Sequence, residues 1–63
     1  MDHTITFQVD MPQDQAWALA QLLKRITYRN CLGLAENSHE AYEMLYATER
    51  LRKAMAEAGI APR

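Results

Sequence analysis

The stretch that decides the predicted fold is TITFQVDMP, residues 4–12. Its side chains alternate strictly between two faces, a polar one made by Thr4, Thr6 and Gln8 and an apolar one made by Ile5, Phe7 and Val9. Period-two alternation of β-branched and aromatic residues is typical of a half-buried β-strand. The stretch therefore predicts a short strand that ends at Met11-Pro12.

The predicted strand has no second strand pattern in the sequence with which it could pair. Its backbone N–H and C=O groups need hydrogen-bond partners, and an isolated strand provides none. We therefore expect pairing outside the chain, either with a second copy across a two-fold axis or with the sheet edge of a partner. The alternative is an arm that lies over the helices with its backbone in water.

A first amphipathic helix is predicted from about Pro12 to Tyr28, because apolar residues recur there at three- and four-residue steps. Its core face comprises Ala16, Leu19, Ala20, Leu22, Leu23, Ile26 and Thr27. The periodicity fails over residues 29–37, which are predicted to form a loop. Within it, Asn30 and Gly33 are the expected points of chain reversal, and Leu32 and Leu34 are expected to lie beneath the loop.

A second helix is predicted to begin at Asn37 or Ser38, since both residue types cap helices and Glu40 follows Asn37 by three positions. Its core face comprises Ala41, Met44, Leu45, Thr48, Leu51, Met55 and Ala58. Gly59 is expected to end the helix, with Ile60 making the apolar contact that follows such a stop. The predicted class is α+β and mainly α: one domain over residues 1–63, with an N-terminal strand and a two-helix hairpin.

A chain of 63 residues usually needs a disulfide, a metal or a second subunit for stability, because it buries only about 60% of the surface that its unfolded form exposes. The single cysteine, Cys31, excludes an internal disulfide, and no zinc spacing occurs. We expect no cofactor and no metal, and we expect a homodimer. The lone cysteine and the absence of a leader pattern favour the cytoplasm. No apolar run approaches the ~18 residues of a membrane span, so we expect no membrane partner.

The order of strand, proline, helix and capped helix resembles the ribbon-helix-helix family of dimeric DNA-binding proteins. The resemblance rests on residues 4–12 and on the Asn37-Ser38 helix start. It implies that Thr4, Thr6 and Gln8 enter the major groove and that the helix start holds a phosphate. The charge balance, seven Lys or Arg against eight Asp or Glu, disfavours a nucleic-acid partner.

A second resemblance is to short uncharacterised bacterial proteins carried on mobile elements and prophages. It rests on QAWALAQLLKR at residues 15–25 and AEAGIAPR at residues 56–63. That resemblance implies an accessory role, such as inhibition of a host-defence system, and implies no mechanism.

Both predicted helices carry a second stripe, off the core face, in which aromatic rings lie next to polar groups. Rings of this kind are typical of interface hot spots. The predicted partner-binding residues are Trp17, Gln21, Lys24, Tyr28, Tyr42 and Tyr46. The alternative interpretation is that these rings only cover a thin core.

Catalysis is the least favoured class of function. His39 with Glu43, His3 and Cys31 offer isolated groups without the further ligands or bases that a metal site or a nucleophile needs. We therefore predict a non-enzymatic interaction protein with a protein partner, and the alternative is a DNA-binding regulator of the ribbon-helix-helix type.

Overall fold

A computed structural model describes residues 3–62, and over this range the chain is all-α. Three helices follow one another: α1 over Gln13–Arg25, α2 over Tyr28–Leu34 and α3 over Ser38–Glu57. Both α1 and α2 pack against α3. Residues 3–12 form an arm without regular secondary structure, which we call the N-terminal arm.

The predicted N-terminal strand is wrong, and with it the α+β class and the ribbon-helix-helix likeness. No part of residues 3–62 forms a strand, and the stretch Thr4–Val9 lies in the N-terminal arm. Alternation shows that one side of a stretch is apolar, but a strand also requires a second backbone to complete its ladder. Residues 3–62 contain no second strand with which the stretch could pair, and the arm lies alongside the helices instead.

The first helix ends at Arg25 and not at Tyr28, and the predicted loop is largely the unpredicted helix α2. The cause is a capping box at the start of α2. The Thr27 hydroxyl accepts a hydrogen bond from Asn30 N at 3.2 Å, and Asn30 Oδ1 accepts one from Thr27 N at 3.0 Å. This reciprocal pair starts a new helix. Asn30 and Gly33 therefore lie inside a helix and reverse nothing.

The boundaries of α3 confirm the prediction. Asn37 caps the helix, with its Oδ1 accepting from Glu40 N at 2.8 Å. At the other end Gly59 adopts φ 92°, a left-handed conformation that favours glycine. Ile60 N donates to Met55 O at 2.9 Å and Gly59 N donates to Ala56 O at 3.0 Å, which is a Schellman stop.

Replacing the Asn37 cap should weaken the whole fold, since α1 and α2 both pack on α3. We expect Asn37→Ala to lower the free energy of unfolding by about 1 kcal/mol, because it leaves the Glu40 N–H without its acceptor. Urea denaturation followed by circular dichroism measures the change. Asn37→Ser retains an acceptor and should behave nearly as the parent; equal loss in both variants would contradict the capping explanation.

The buried core is thin and made mostly of small side chains. It comprises Ala16, Ala20, Leu23, Cys31 and Ala41. Leu22, Leu32, Leu34 and Leu51 were predicted to be covered and are exposed, as is Ala58. Thr27, also placed in the core by the prediction, is an exposed helix cap. Two helices laid on a third cover only a narrow strip of it, so outlying apolar positions stay in water.

The molecule is flat and exposes more surface than a compact chain of its mass. Its dimensions are 33 × 29 × 17 Å and its radius of gyration is 12.8 Å, against about 10.6 Å for a compact domain of this length. The accessible surface is 5615 Å², against about 4,200 Å² for a typical monomer of 7.3 kDa. Much apolar surface therefore remains uncovered in the single chain.

Candidate interaction surfaces

The apolar side of the N-terminal arm borders two grooves along the helices. The first has a volume of about 260 Å³ and is lined by Phe7, Val9, Met11, Leu19, Met55 and Ile60, among others. The second, of about 420 Å³, is lined by Ile5, Phe7, Ala47, Arg50, Leu51 and Ala54, among others. We call the arm and these grooves together the arm face. Phe7 lines both grooves and lies at its centre.

The arm face is apolar and open to solvent. Ile5 is 82% exposed and Phe7 is 76% exposed. Residues 3–11 make no backbone hydrogen bond to other described backbone groups. The first helical hydrogen bond runs from Ala16 N to Pro12 O, at 3.0 Å. The arm therefore touches the helices through side chains, and the arm residues that line the grooves are Ile5, Thr6, Phe7, Val9 and Met11.

A second surface is a row of three tyrosine rings, which we call the tyrosine row. The rings of Tyr28 and Tyr42 lie 4.6 Å apart at 33°, and those of Tyr42 and Tyr46 lie 6.2 Å apart at 27°. Tyr42 and Tyr46 are 47% and 51% exposed, whereas Tyr28 is half-buried. Contacts between the rings hold the row in place while leaving two of its members accessible.

The structure divides the predicted partner-binding residues between two places. Tyr28, Tyr42 and Tyr46 form the tyrosine row, while Trp17, Gln21 and Lys24 lie on α1. The break at residues 26–27 removes Tyr28 from the stripe of the first helix, so the prediction of one stripe from Trp17 to Tyr28 is wrong in its geometry. Trp17 is 37% exposed, and Gln21 and Lys24 are half-buried.

Charge is unevenly distributed along α3 and the turn before it. Three acidic residues, Glu36, Glu40 and Glu43, lie at its start, and three basic residues, Arg50, Arg52 and Lys53, lie in its second half. The first half of the helix is therefore acidic, whereas in the second half these three basic residues stand against two acidic ones, Glu49 and Glu57. The N-terminal arm carries no Lys or Arg, and Thr4, Thr6 and Gln8 are exposed on it without the ribbon that major-groove binding requires.

Side chains that could hold a metal ion do not cluster within residues 3–62. His, Cys, Asp and Glu side chains form no group of three or more in that part of the chain. Cys31, on α2, is 1% exposed, and His39 is an exposed residue of the first turn of α3. Likewise, none of the described helices is both long enough and apolar enough to span a membrane.

These features define a small three-helix protein with an apolar N-terminal arm and an exposed tyrosine row. The chain belongs to DUF7706, a family of unknown function whose profile matches residues 1–63. Comparison with curated proteins and with solved structures finds no match to the chain.

Proposed function

We propose that this protein is a non-enzymatic interaction protein that binds another protein through the tyrosine row. The observation that carries the proposal is the pair of ring contacts that joins Tyr28, Tyr42 and Tyr46, two of which are half exposed. The three rings are not among the buried core residues, and those of Tyr42 and Tyr46 are exposed. Cys31 is free and buried, as is usual for proteins of a reducing compartment. We therefore propose that the protein functions in the cytoplasm.

The tyrosine row suits binding because its rings are already ordered before a partner arrives. A tyrosine presents a large apolar area with few rotatable bonds, and its hydroxyl offers a hydrogen bond at the rim. Contact with Tyr28 and Tyr46 on either side restricts the ring of Tyr42 further. Less conformational entropy is therefore lost on binding than for an isolated ring.

The surroundings of the row favour a protein over a nucleic acid. Glu49 and Lys53 follow Tyr46 by three and seven positions on α3, so both signs of charge lie beside the rings. A nucleic-acid surface would need a clear excess of Lys and Arg, and the whole chain has a formal net charge of −1. Mixed charge around aromatic anchors is the composition of a protein interface.

Single substitutions in the row test the proposal once a captured partner has been purified. The partner is isolated from the native host by affinity capture with nuclease treatment, and its affinity is then measured by calorimetry. We expect Tyr42→Ala to weaken binding about 30-fold, equivalent to ~2 kcal/mol, because the ring loses its covered area. The melting temperature should change little, since Tyr42 is already half in water.

Two control variants sharpen this measurement. Leu22→Ala removes an exposed apolar side chain of α1 and should leave the affinity unchanged. Trp17→Ala compares the α1 stripe with the tyrosine row. A larger loss for Trp17→Ala than for Tyr42→Ala would move the binding surface to α1, and equal affinity for all three variants would refute the proposal.

A further inference from the structure

We propose that the arm face is the interface between two copies of this chain, packed about a two-fold axis with their α3 helices antiparallel. This goes beyond the proposed function, which uses the tyrosine row, and it can fail or hold independently. The interface consists of the side chains that line the arm face, most of which come from the arm and from α3. No backbone ladder between the arms takes part.

The amount of exposed surface supports a second copy as the occupant. The chain exposes 5615 Å², roughly 1,400 Å² more than a compact monomer of its mass. A stable interface of standard size covers about 800 Å² on each partner. The excess is therefore large enough to supply a standard interface on each chain, and a second copy covers that area on both chains at once.

The shape of the arm face also suits an interface that is the same on both sides. Its exposed apolar side chains, Ile5, Phe7 and Leu51 among them, stand next to grooves of about 260 and 420 Å³. In a two-fold dimer the same surface is buried on both copies, so the projecting side chains and the grooves of each copy are covered by the other.

Charge on α3 selects the antiparallel arrangement. Glu43 and Arg50 are seven residues apart, close to two helical turns, so they lie on one side of α3 with the exposed Ala47 between them. A two-fold axis beside Ala47 places Glu43 of each copy opposite Arg50 of the other. A parallel arrangement would instead oppose Glu43 to Glu43 and Arg50 to Arg50, which is repulsive. The small side chains of Ala47 and Ala54 permit close approach of the two helices.

The mass in solution gives the first test. Sedimentation equilibrium of the full chain at micromolar concentration should give about twice the 7.3 kDa of one chain. A monomer at that concentration and at about 100 µM overturns the proposal. A larger closed assembly also overturns it, because a two-fold interface stops at two copies.

Charge reversal at the axis gives the second test. Glu43→Arg and Arg50→Glu, made singly, should each raise the dimer dissociation constant about tenfold, because each places like charges together twice per dimer. The double variant Glu43→Arg with Arg50→Glu should return to within about threefold of the parent, since it recreates the opposite pairs.

Circular dichroism confirms that each charge variant is folded, and Glu49→Arg provides the matched control. Glu49 lies on a different side of α3, and its reversal should change the dissociation constant by less than about threefold. A double variant as weak as the singles, or a Glu49→Arg variant as weak as Glu43→Arg, overturns the antiparallel packing.

Discussion

Ala41→Leu should lower the free energy of unfolding by about 3 kcal/mol, the largest effect we expect from one substitution. Ala41 is 0% exposed, at the start of α3 where the helix is covered by its neighbours. An isobutyl group in place of the methyl group has no space, so the packed helices must move off α3. A chain with so few buried residues has little remaining stability to absorb such a loss.

The measurement is urea denaturation followed by far-ultraviolet circular dichroism, with Ala56→Leu as the control. Ala56 is an exposed residue of the same helix, and leucine forms helices almost as well as alanine. The control should therefore lie within about 0.5 kcal/mol of the parent. If both variants were equally stable, Ala41 would not be a close-packed position.

Phe7→Asp should raise the dimer dissociation constant at least about 100-fold while leaving the helices folded. Phe7 lines both grooves of the arm face, and each dimer buries two such rings, each worth about 2 kcal/mol on transfer from water. The aspartate adds a charge that the apolar interface cannot solvate. Within one chain Phe7 is 76% exposed, so its loss costs the monomer little.

Sedimentation equilibrium over a range of concentrations measures this effect, and Gln8→Asp is the control. Gln8 is the next residue of the arm, is exposed and lines neither groove, so the variant adds the same charge beside the same position. We expect it to dimerise within about threefold of the parent. Equal dissociation in the two variants would attribute the effect to arm charge and not to the Phe7 ring.

The ends of α3 could be predicted because helix caps are local. Asn37, Glu40 and Gly59 act on backbone groups within a few residues of themselves, and the distances in the structure are those of an N-cap and a Schellman stop. The N-terminal arm could not be predicted in the same way. Alternation in residues 4–9 is also a local signal, but a strand forms only when a second strand pairs with it. Residues 4–9 alone do not show whether that second strand exists.

Helix α2 was missed although its signal is present in the sequence. Thr27 and Asn30 have the spacing of a capping box, but asparagine at the third position is less usual than Glu or Gln, and Gly33 suggested a turn. A helix of seven residues is unstable alone, so packing against α3 and not propensity decides its existence. Packing of this kind cannot be read from a short window of sequence.

The candidate surfaces were predicted in part. The polar-ended rings of Tyr42 and Tyr46 lie off the core as helical periodicity indicated, and Ile5, Phe7 and Val9 share one apolar side of the arm. The contact between the rings of Tyr28 and Tyr42 could not be predicted, because it depends on the end of α1 at Arg25 and the start of a new helix at Tyr28. The positions of Leu51 and Ile60 in a groove could not be predicted either, because the groove forms only where the arm lies along α3.

Because Cys31 is buried, the reactivity of the molecule's single thiol measures the opening of α2. A thiol that is 1% exposed reacts with a solvent-borne disulfide reagent only while α2 is detached from α3. When closing is fast, the labelling rate divided by that of a free thiol equals the fraction of molecules that are open. Because Tyr28 begins the same helix, each opening also separates its ring from that of Tyr42, so the labelling rate reports the fraction of molecules in which the tyrosine row is disassembled.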